Sequence, residues 1–198
     1  MRDSLFVAPI VEGHGDSAAI NPLLRRVTAR AKPDSALFIN PALRVKAGSF
    51  LKDEDYFRKY IELAARKVKA APAPRGFVLV LLDLDDDCPG KVGPEILRRA
   101  KLQRPDVDFE VVLAHREFET WFLAAANSLK GICGLPPSLE APVDPERIRD
   151  AKGWLAERMG RSYNEPIHQP QMTEAFDLDE AAQVHSFARL LRKFNDLF

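Results

Sequence analysis

Four aspartates stand almost together in the stretch GFVLVLLDLDDDCPG at 76–90, namely Asp83, Asp85, Asp86 and Asp87. Carboxylates this close repel one another unless they are solvated, protonated or bound to cations. Hard divalent cations take oxygen ligands, and Mg²⁺ is typically held by one or two carboxylates together with water and substrate phosphates. Two interpretations stay open at this point: a solvated turn, and a metal site with Asp83, Asp85 and Asp87 as candidate ligands.

Two apolar runs predict strands whose carboxyl ends would carry such acids. Residues 77–82 are continuously apolar and rich in branched side chains, which is typical of a strand buried on both faces of a parallel sheet. Residues 5–11 form a second run, and Glu12 follows it directly. Ligands of open α/β folds bind beyond the carboxyl ends of the strands, so Glu12 and Asp83 occupy the same kind of position.

The turn after Glu12 reads Gly13-His14-Gly15-Asp16, and Asp16 or Ser17 can cap the helix that follows. The turn matches neither the P-loop nor the GxGxxG pattern. Gly13 and His14 are candidate phosphate contacts, although a histidine in a glycine turn is more often an ordinary surface residue. Pro9 lacks a backbone donor and predicts a bulge or irregular pairing in the first strand.

The order of the elements predicts the fold class. Strands at 5–11, 36–46, 77–82 and 109–114 alternate with helices, including one over 50–69, which predicts an α/β fold with a parallel sheet of about four strands and helices on both faces. If the strand order is 2-1-3-4, Glu12 meets Asp83 and Asp85 at the crevice between the first and third strands. One glutamate and a DxD pair are what one or two Mg²⁺ ions need to clamp a phosphodiester.

A third group of acids follows the strand at 109–114. Glu117 and Glu119 lie about 200° apart on an ideal helix, so at most one should face the crevice if both are helical. Acids in a first helical turn are also explained by the helix dipole alone. Phe118, Trp121 and Phe122 have helical spacing and should be core.

The chain is expected to divide into an α/β core at 1–129 and a loop-rich, helical extension at 130–198 that packs on it. In the extension, 145–159 predicts a short helix, 163–176 looks irregular, and a final amphipathic helix opens at Asp179 or Glu180. We expect packing or surface roles for His168 and His185.

Composition limits the classes of function. The 29 basic and 29 acidic residues give no net charge, so only local patches can attract nucleic acid. No segment approaches a membrane span, and the start is too soon acidic for a signal peptide. Cys88 and Cys133 lack ligand spacing, so we expect reduced thiols, no zinc site and a cytoplasmic protein.

The motifs together resemble a known family. VEG after the first strand and DLD after the third resemble the Toprim domain of topoisomerases, primases and OLD-family nucleases. VEGHGD, LVLLDLDDD and REFETWFLA resemble more closely a bacterial Toprim-like family catalogued as domain of unknown function 4276. The resemblance covers roughly residues 5–126, with a weaker match in the last helix.

The resemblance implies Mg²⁺-dependent (or Mn²⁺-dependent) phosphoryl transfer on nucleic acid, with DNA as the expected substrate. It implies that Glu12 is a metal ligand or general base, that Asp83 and Asp85 hold the metal, and that Glu119 or Glu117 completes a second metal site. It also suggests an ABC/AAA-type ATPase partner, a role in phage defence, and a homodimer. The sequence departs from the pattern in two ways: Asp86 and Asp87 extend the cluster beyond DxD, and no lysine stands out as an electrophile, although Lys91 is a candidate and a possible phosphate contact.

Two other functions compete with a nuclease. A non-catalytic Toprim-like module would bind nucleic acid or a partner ATPase, and the zero net charge favours it. A phosphatase with an aspartyl nucleophile in the DxD is disfavoured, because the haloacid-dehalogenase-like fold places that motif after its first strand, where this chain has Glu12.

Overall fold

The computed structural model describes residues 4–84 and 89–198, and within them the strands form one parallel sheet. The strand order is β2-β1-β4-β5, and the short β3 pairs with β1 beyond the end of β2. The strands are β1 (Ser4–Val11), β2 (Ala36–Ile39), β3 (Leu43–Arg44), β4 (Arg75–Asp83) and β5 (Asp108–Ala114). The predicted α/β class is confirmed, and the strands have the 2-1-3-4 order under which Glu12 and Asp83 become neighbours, with the predicted second strand divided into β2 and β3.

Alternation of side chains along the strands produces a hydrophobic core on each face of the sheet. Val7 and Leu79 point to one face, where α1 (His14–Ala31) packs through Leu23 and Val27. Ile10 and Val80 point to the other face. That second face is covered by α2 (Ala47–Lys52), α3 (Glu54–Lys69) and α4 (Pro89–Gln103).

Pro9 lies in regular register with Leu79 of β4, and the irregular pairing is on the opposite side of β1. The carbonyls of Val7 and Val11 accept hydrogen bonds from Asn40 and Val45, so alternate residues of β1 face β2 and β3. By this alternation the missing N–H of Pro9 falls between the end of β2 and the start of β3. The interruption of the ladder therefore coincides with the residue that cannot donate.

The prediction of a single helix over 50–69 is wrong, because Asp53 interrupts it between α2 and α3. The Asp53 carboxylate accepts hydrogen bonds from the N–H groups of Asp55 and Tyr56, which makes it the N-cap of α3. Phe50 and Phe57 still pack together, with ring centroids 4.8 Å apart, on either side of the break. A side chain that satisfies the backbone at a helix start competes with continuation of the preceding helix.

The rest of the chain adds short helices to the face that α1 covers. They are α5 (Thr120–Ala124), α6 (Ala151–Met159), α7 (Glu165–Ala175), α8 (Leu178–Ala181) and α9 (His185–Asp196), with 3-10 turns at Ala126–Leu129, Ile132–Gly134 and Pro145–Arg147. The expectation of irregular structure at 163–176 is wrong, since α7 lies there. The predicted final helix is two helices, α8 and α9, and its apolar residues are buried, namely Val184, Phe187, Leu191 and Phe194.

One hydrophobic cluster joins β1 and β4 to residues on both sides of position 130. Trp121 of α5 and Phe187 of α9 illustrate this, with ring centroids 5.1 Å apart. The division at 129 stays a prediction. In the described part of the chain, no helix is long and apolar enough to cross a membrane.

Candidate functional site

The carboxyl ends of β1, β4 and β5 lie side by side, because these strands are parallel neighbours. Glu12 follows β1, Asp83 ends β4, and the turn 115–119 follows β5. Together with helices α1, α6 and α7 they surround a cavity of about 270 Å³, which we call the acid cavity. It is lined by Glu12, Gly13, Asp16, Asp83, Glu117, Glu119, Lys152, Glu165 and Gln169.

A larger cavity of about 540 Å³ lies between α3 and α4 and is a weaker candidate. Its charged side chains neutralise one another: Arg99 contacts Glu54 at 2.7 Å and Arg98 contacts Glu95 at 2.7 Å. A surface whose ions are already paired and exposed offers little to a ligand. The acid cavity, by contrast, holds six carboxylates and one ammonium group.

Asp83 is the central carboxylate, on the same face of β4 as Leu81. Its Oδ1 accepts a hydrogen bond from the Phe118 N–H at 2.9 Å, which links β4 to the turn after β5. Burial raises the pKa of Asp83 well above its ordinary value, and the charges of Asp16 and Glu119 raise it further. The Lys152 ammonium acts in the opposite direction.

Glu119 is the deepest acid, with a side chain that is 1% exposed. Among the described residues neither of its carboxylate oxygens has a hydrogen bond. Burial raises the pKa of Glu119 to about 7, against the opposing effect of Lys152. The Tyr163 hydroxyl is also buried beside Glu119, and burial, followed by the charge of Glu119 and a hydrogen-bonding interaction with it, raises the pKa of Tyr163.

Lys152, in the first turn of α6, is the cation of the cavity. Its Nζ lies 3.2 Å from Glu117, 3.3 Å from Glu119, 3.8 Å from Glu165 and 4.0 Å from Asp83. The contact with Glu119 has the distance of an ion pair without the direction of a hydrogen bond. Burial lowers the pKa of Lys152, but the surrounding carboxylates outweigh burial and raise it.

Glu117 and Glu119 both line the acid cavity, so the expectation that only one would face it does not apply. The expectation assumed a helix, whereas α5 begins at Thr120, after both residues. Arg116 has a φ of 64°, in the left-handed region, and this turn redirects the chain after β5. Glu117 accepts hydrogen bonds from the N–H groups of Ala151 and Lys152 and so ties the start of α6 to the cavity.

Asp16 is a functional candidate that we did not single out from the sequence beyond its capping potential. Its Oδ2 accepts the Gly13 N–H at 2.8 Å, so Asp16 supports a helix whose N-cap is Gly13. Its Oδ1 accepts a hydrogen bond from Gln169 Nε2 at 2.7 Å. The signal that could have identified it is its spacing from Glu12, four residues away in the same turn.

Close packing of α1 on α7 depends on Gly15. A Cβ atom there would lie 1.9 Å from Gln169 Oε1 and 2.8 Å from Glu165 Cβ. The bare backbone therefore lets α7 approach and bring Glu165 and Gln169 to the cavity. Lys152 and Gln169 were both missed, because nothing near them in the sequence indicates that α6 and α7 fold over the strand ends.

The remaining predicted site residues lie in different places relative to the acid cavity. Glu12 lies at the cavity and its Oε1 accepts the Ala47 N–H, at the start of α2, at 3.3 Å. Gly13 also lines the cavity, whereas His14 and Lys91 are exposed and are not among its lining residues. Asp85 and Asp87 lie outside the described residues, as does Asp86, and their predicted roles stay predictions.

A divalent cation can be tested against this donor set. In the described part of the chain no three His, Cys, Asp or Glu side chains are arranged to hold a metal ion, and the Lys152 ammonium lies among the acids instead. The donors are nevertheless the oxygens that Mg²⁺ prefers. The oxygens are therefore of the right kind for a divalent cation, but the described side chains are not arranged as its ligands.

Comparisons with known proteins identify the family. No curated protein matches the chain. Among solved structures, the C-terminal region of the Burkholderia pseudomallei OLD protein is similar at 16% identity and a TM-score of 0.43, over 100% of this chain and 98% of that one. The family described as Domain of unknown function (DUF4276) matches residues 11–195, and the chain belongs to it.

Proposed function

We propose that the acid cavity binds Mg²⁺ or Mn²⁺ and that the protein is a metal-dependent nuclease, which transfers phosphoryl groups of nucleic acid, DNA in the first instance, to water. The observation that carries the proposal is the buried Glu119 carboxylate together with five further carboxylates that line the same cavity beside a single ammonium group, that of Lys152. One ammonium group compensates only part of such a set, and a divalent cation would compensate more of it. Carboxylates from three adjacent strand ends converge there, where α/β folds bind ligands.

Each group has a role in this proposal. Glu12, Asp83 and Glu119 would hold the cation, together with Asp85, which follows β4 in the sequence. The cation, when bound, neutralises phosphate oxygens and lowers the pKa of a bound water. Lys152 holds its ammonium within 4.0 Å of Asp83, where it can donate hydrogen bonds to a non-bridging phosphate oxygen. Glu117 positions Lys152 through the start of α6.

The first experiment is a calorimetric titration with Mg²⁺ and Mn²⁺ beside a plasmid-cleavage assay. Asp83→Asn keeps an oxygen for the Phe118 N–H but removes the charge, so both metal binding and nicking should be lost. Asp34→Asn is the matched control, because Asp34 is exposed and remote from the cavity lining. Absence of metal binding by the unaltered protein, with nucleic acid present, would overturn the proposal.

A second candidate is a non-catalytic module that binds nucleic acid or an ATPase partner. The position of Lys152 favours it, because an ammonium group already compensates the acids. In this case the protein would bind nucleic acid or an ABC/AAA-type ATPase, for example in phage defence or as a homodimer, without cleaving DNA. Nucleic-acid binding that is the same in Mg²⁺ and in EDTA, with no nicking, would select the module.

A further inference from the structure

A third cavity, of about 360 Å³, lies at β5, the last strand in the order of the described sheet, and takes no part in the proposed nuclease site. We call it the β5 cavity; its walls come from Val111 and Leu113 of β5, Gly93 of α4, and Ser186 and Arg189 of α9. Its volume is within the range of small-molecule sites, and such sites combine apolar walls with a few polar groups. The β5 cavity has both.

The Arg189 guanidinium is the first sign of a ligand. Arg189 is half-buried, and it makes no hydrogen bond or ion pair with the described residues; its Nε is fully enclosed without a partner. A half-buried cation without a counter-ion is unfavourable unless an anion joins it. His185, one turn before Arg189 on α9, adds further donor capacity at the same cavity.

Gly90, in the first turn of α4, brings the amino end of a helix to the cavity wall. Amino ends of helices carry partial positive charge and favour anions. Together with the unpaired Arg189 this gives the lining of the β5 cavity two groups that favour an anion. A phosphate group suits such a lining, because a guanidinium group binds its oxygens in a bidentate manner.

Other lining groups suit an organic body with hydrogen-bonding edges. Val111 and Leu113 provide apolar contact for a flat ring. Ser186 is 7% exposed and its Oγ already accepts the Trp121 Nε1–H at 2.9 Å, which leaves its own hydrogen to donate. The Glu146 carboxylate, 4.0 Å from His115 Nδ1, can accept hydrogen bonds from amino or hydroxyl groups.

We propose that the β5 cavity binds a nucleotide phosphomonoester, with the phosphate at Arg189 and His185 and the base against Val111 and Leu113. The position explains how such a ligand would relate to the acid cavity. His115 lines the β5 cavity, while Glu117 and Glu119 of the same turn line the acid cavity. The ligand is either a free mononucleotide or the phosphorylated end of a nucleic-acid strand, held beside the proposed nuclease site.

Calorimetry with adenosine 5′-monophosphate tests the site, in EDTA so that the acid cavity does not contribute. We expect a Kd of about 1 mM or tighter, and about tenfold weaker binding for adenosine and for inorganic phosphate alone. Arg189→Met should weaken binding about tenfold or more, whereas Arg192→Met, an exposed arginine of the same helix, should leave it unchanged. Thermal unfolding of both variants checks that they fold.

A second variant addresses the cavity by filling it. A Cβ atom at Gly93 would meet Leu113 Cδ1 at 3.6 Å, an ordinary contact. Gly93→Leu extends the side chain beyond that atom and should weaken mononucleotide binding about tenfold or more, with thermal unfolding as the check that the variant folds. A 5′-phosphorylated oligonucleotide that binds more tightly than the mononucleotide, in an Arg189-dependent manner, would identify the strand end as the ligand; equal affinity would identify the free nucleotide.

No binding at about 10 mM, or equal binding by the Arg189→Met and Arg192→Met variants, would overturn the proposal. Asp83→Asn should bind the mononucleotide normally, because Asp83 lines the other cavity. The failure of this inference is therefore distinguishable from the failure of the proposed nuclease.

Discussion

Replacing Lys152 with methionine removes the cation of the acid cavity while keeping most of the apolar stem. In the unaltered protein the ammonium lies within 4.0 Å of four carboxylates, including Glu117 at 3.2 Å and Glu119 at 3.3 Å. The variant leaves these acids facing one another without compensation. The folded state should therefore lose stability in metal-free buffer.

The size of this loss in the free energy of unfolding follows from the burial of Lys152 and its partners. Breaking a buried ion pair by removing one partner costs about 3–5 kcal/mol, because a charge is left uncompensated. The Lys152 side chain is 29% exposed and Glu165 is 41% exposed, so water screens part of the effect. We expect a loss near the lower end, about 3 kcal/mol, which is a large share of the roughly 5–15 kcal/mol that stabilises a typical domain.

Urea unfolding in EDTA at neutral pH measures this loss directly. Lys130→Met is the matched control, because Lys130 is exposed and does not line the cavity. The loss in Lys152→Met should shrink at low pH, where protonated carboxyl groups no longer repel one another, and Mg²⁺ should recover part of it if the cavity binds metal. A loss no greater than that of the control would refute the account of Lys152 as the compensating charge.

Three further variants test the site and its supports. Burial raises the pKa of Glu119 from an ordinary 4.5 to about 7, so the folded state binds a proton that the unfolded state releases, and stability is lost as pH rises through that interval. Glu119→Gln should therefore leave the free energy of unfolding nearly unchanged at low pH and raise it by about 3 kcal/mol above pH 8. Urea unfolding in metal-free buffer measures both values. A difference between the variant and the unaltered protein that does not change with pH would contradict this account. Gly15→Ala should cost about 1–3 kcal/mol, measured by thermal unfolding, because its Cβ meets Gln169 Oε1 at 1.9 Å. Asp53→Ala should cost about 1 kcal/mol through the lost cap of α3, with Asp34→Ala as the control in the same assay.

The sheet and one half of the acid cavity could be predicted from local patterns. The apolar run before Asp83 indicates a buried strand, and parallel strands place their carboxyl ends at one edge, so Glu12 and Asp83 meet at the acid cavity. Family resemblance added Glu119. These predictions succeed because burial on both faces leaves a strong signal in the sequence.

The other half depends on tertiary packing that has no local signature. The segment of α7 contains two prolines and few apolar residues, so periodicity did not indicate a helix; it is held by its contact with α1 at Gly15. Lys152 is one lysine among many until α6 places it against Glu117. The break at Asp53 was missed because a capping side chain and an ordinary surface acid look alike in the sequence.

The separation of Lys152 from the acids along the chain has a consequence for synthesis on the ribosome. Glu12, Asp83 and Glu119 leave the exit tunnel before the lysine that compensates them, since the chain grows from its amino end. A nascent chain that ends before α6 holds the strand-end acids without their counter-charge. Docking of α6 should therefore be a late step, and α7, which follows it, then adds Glu165 to the carboxylates around Lys152.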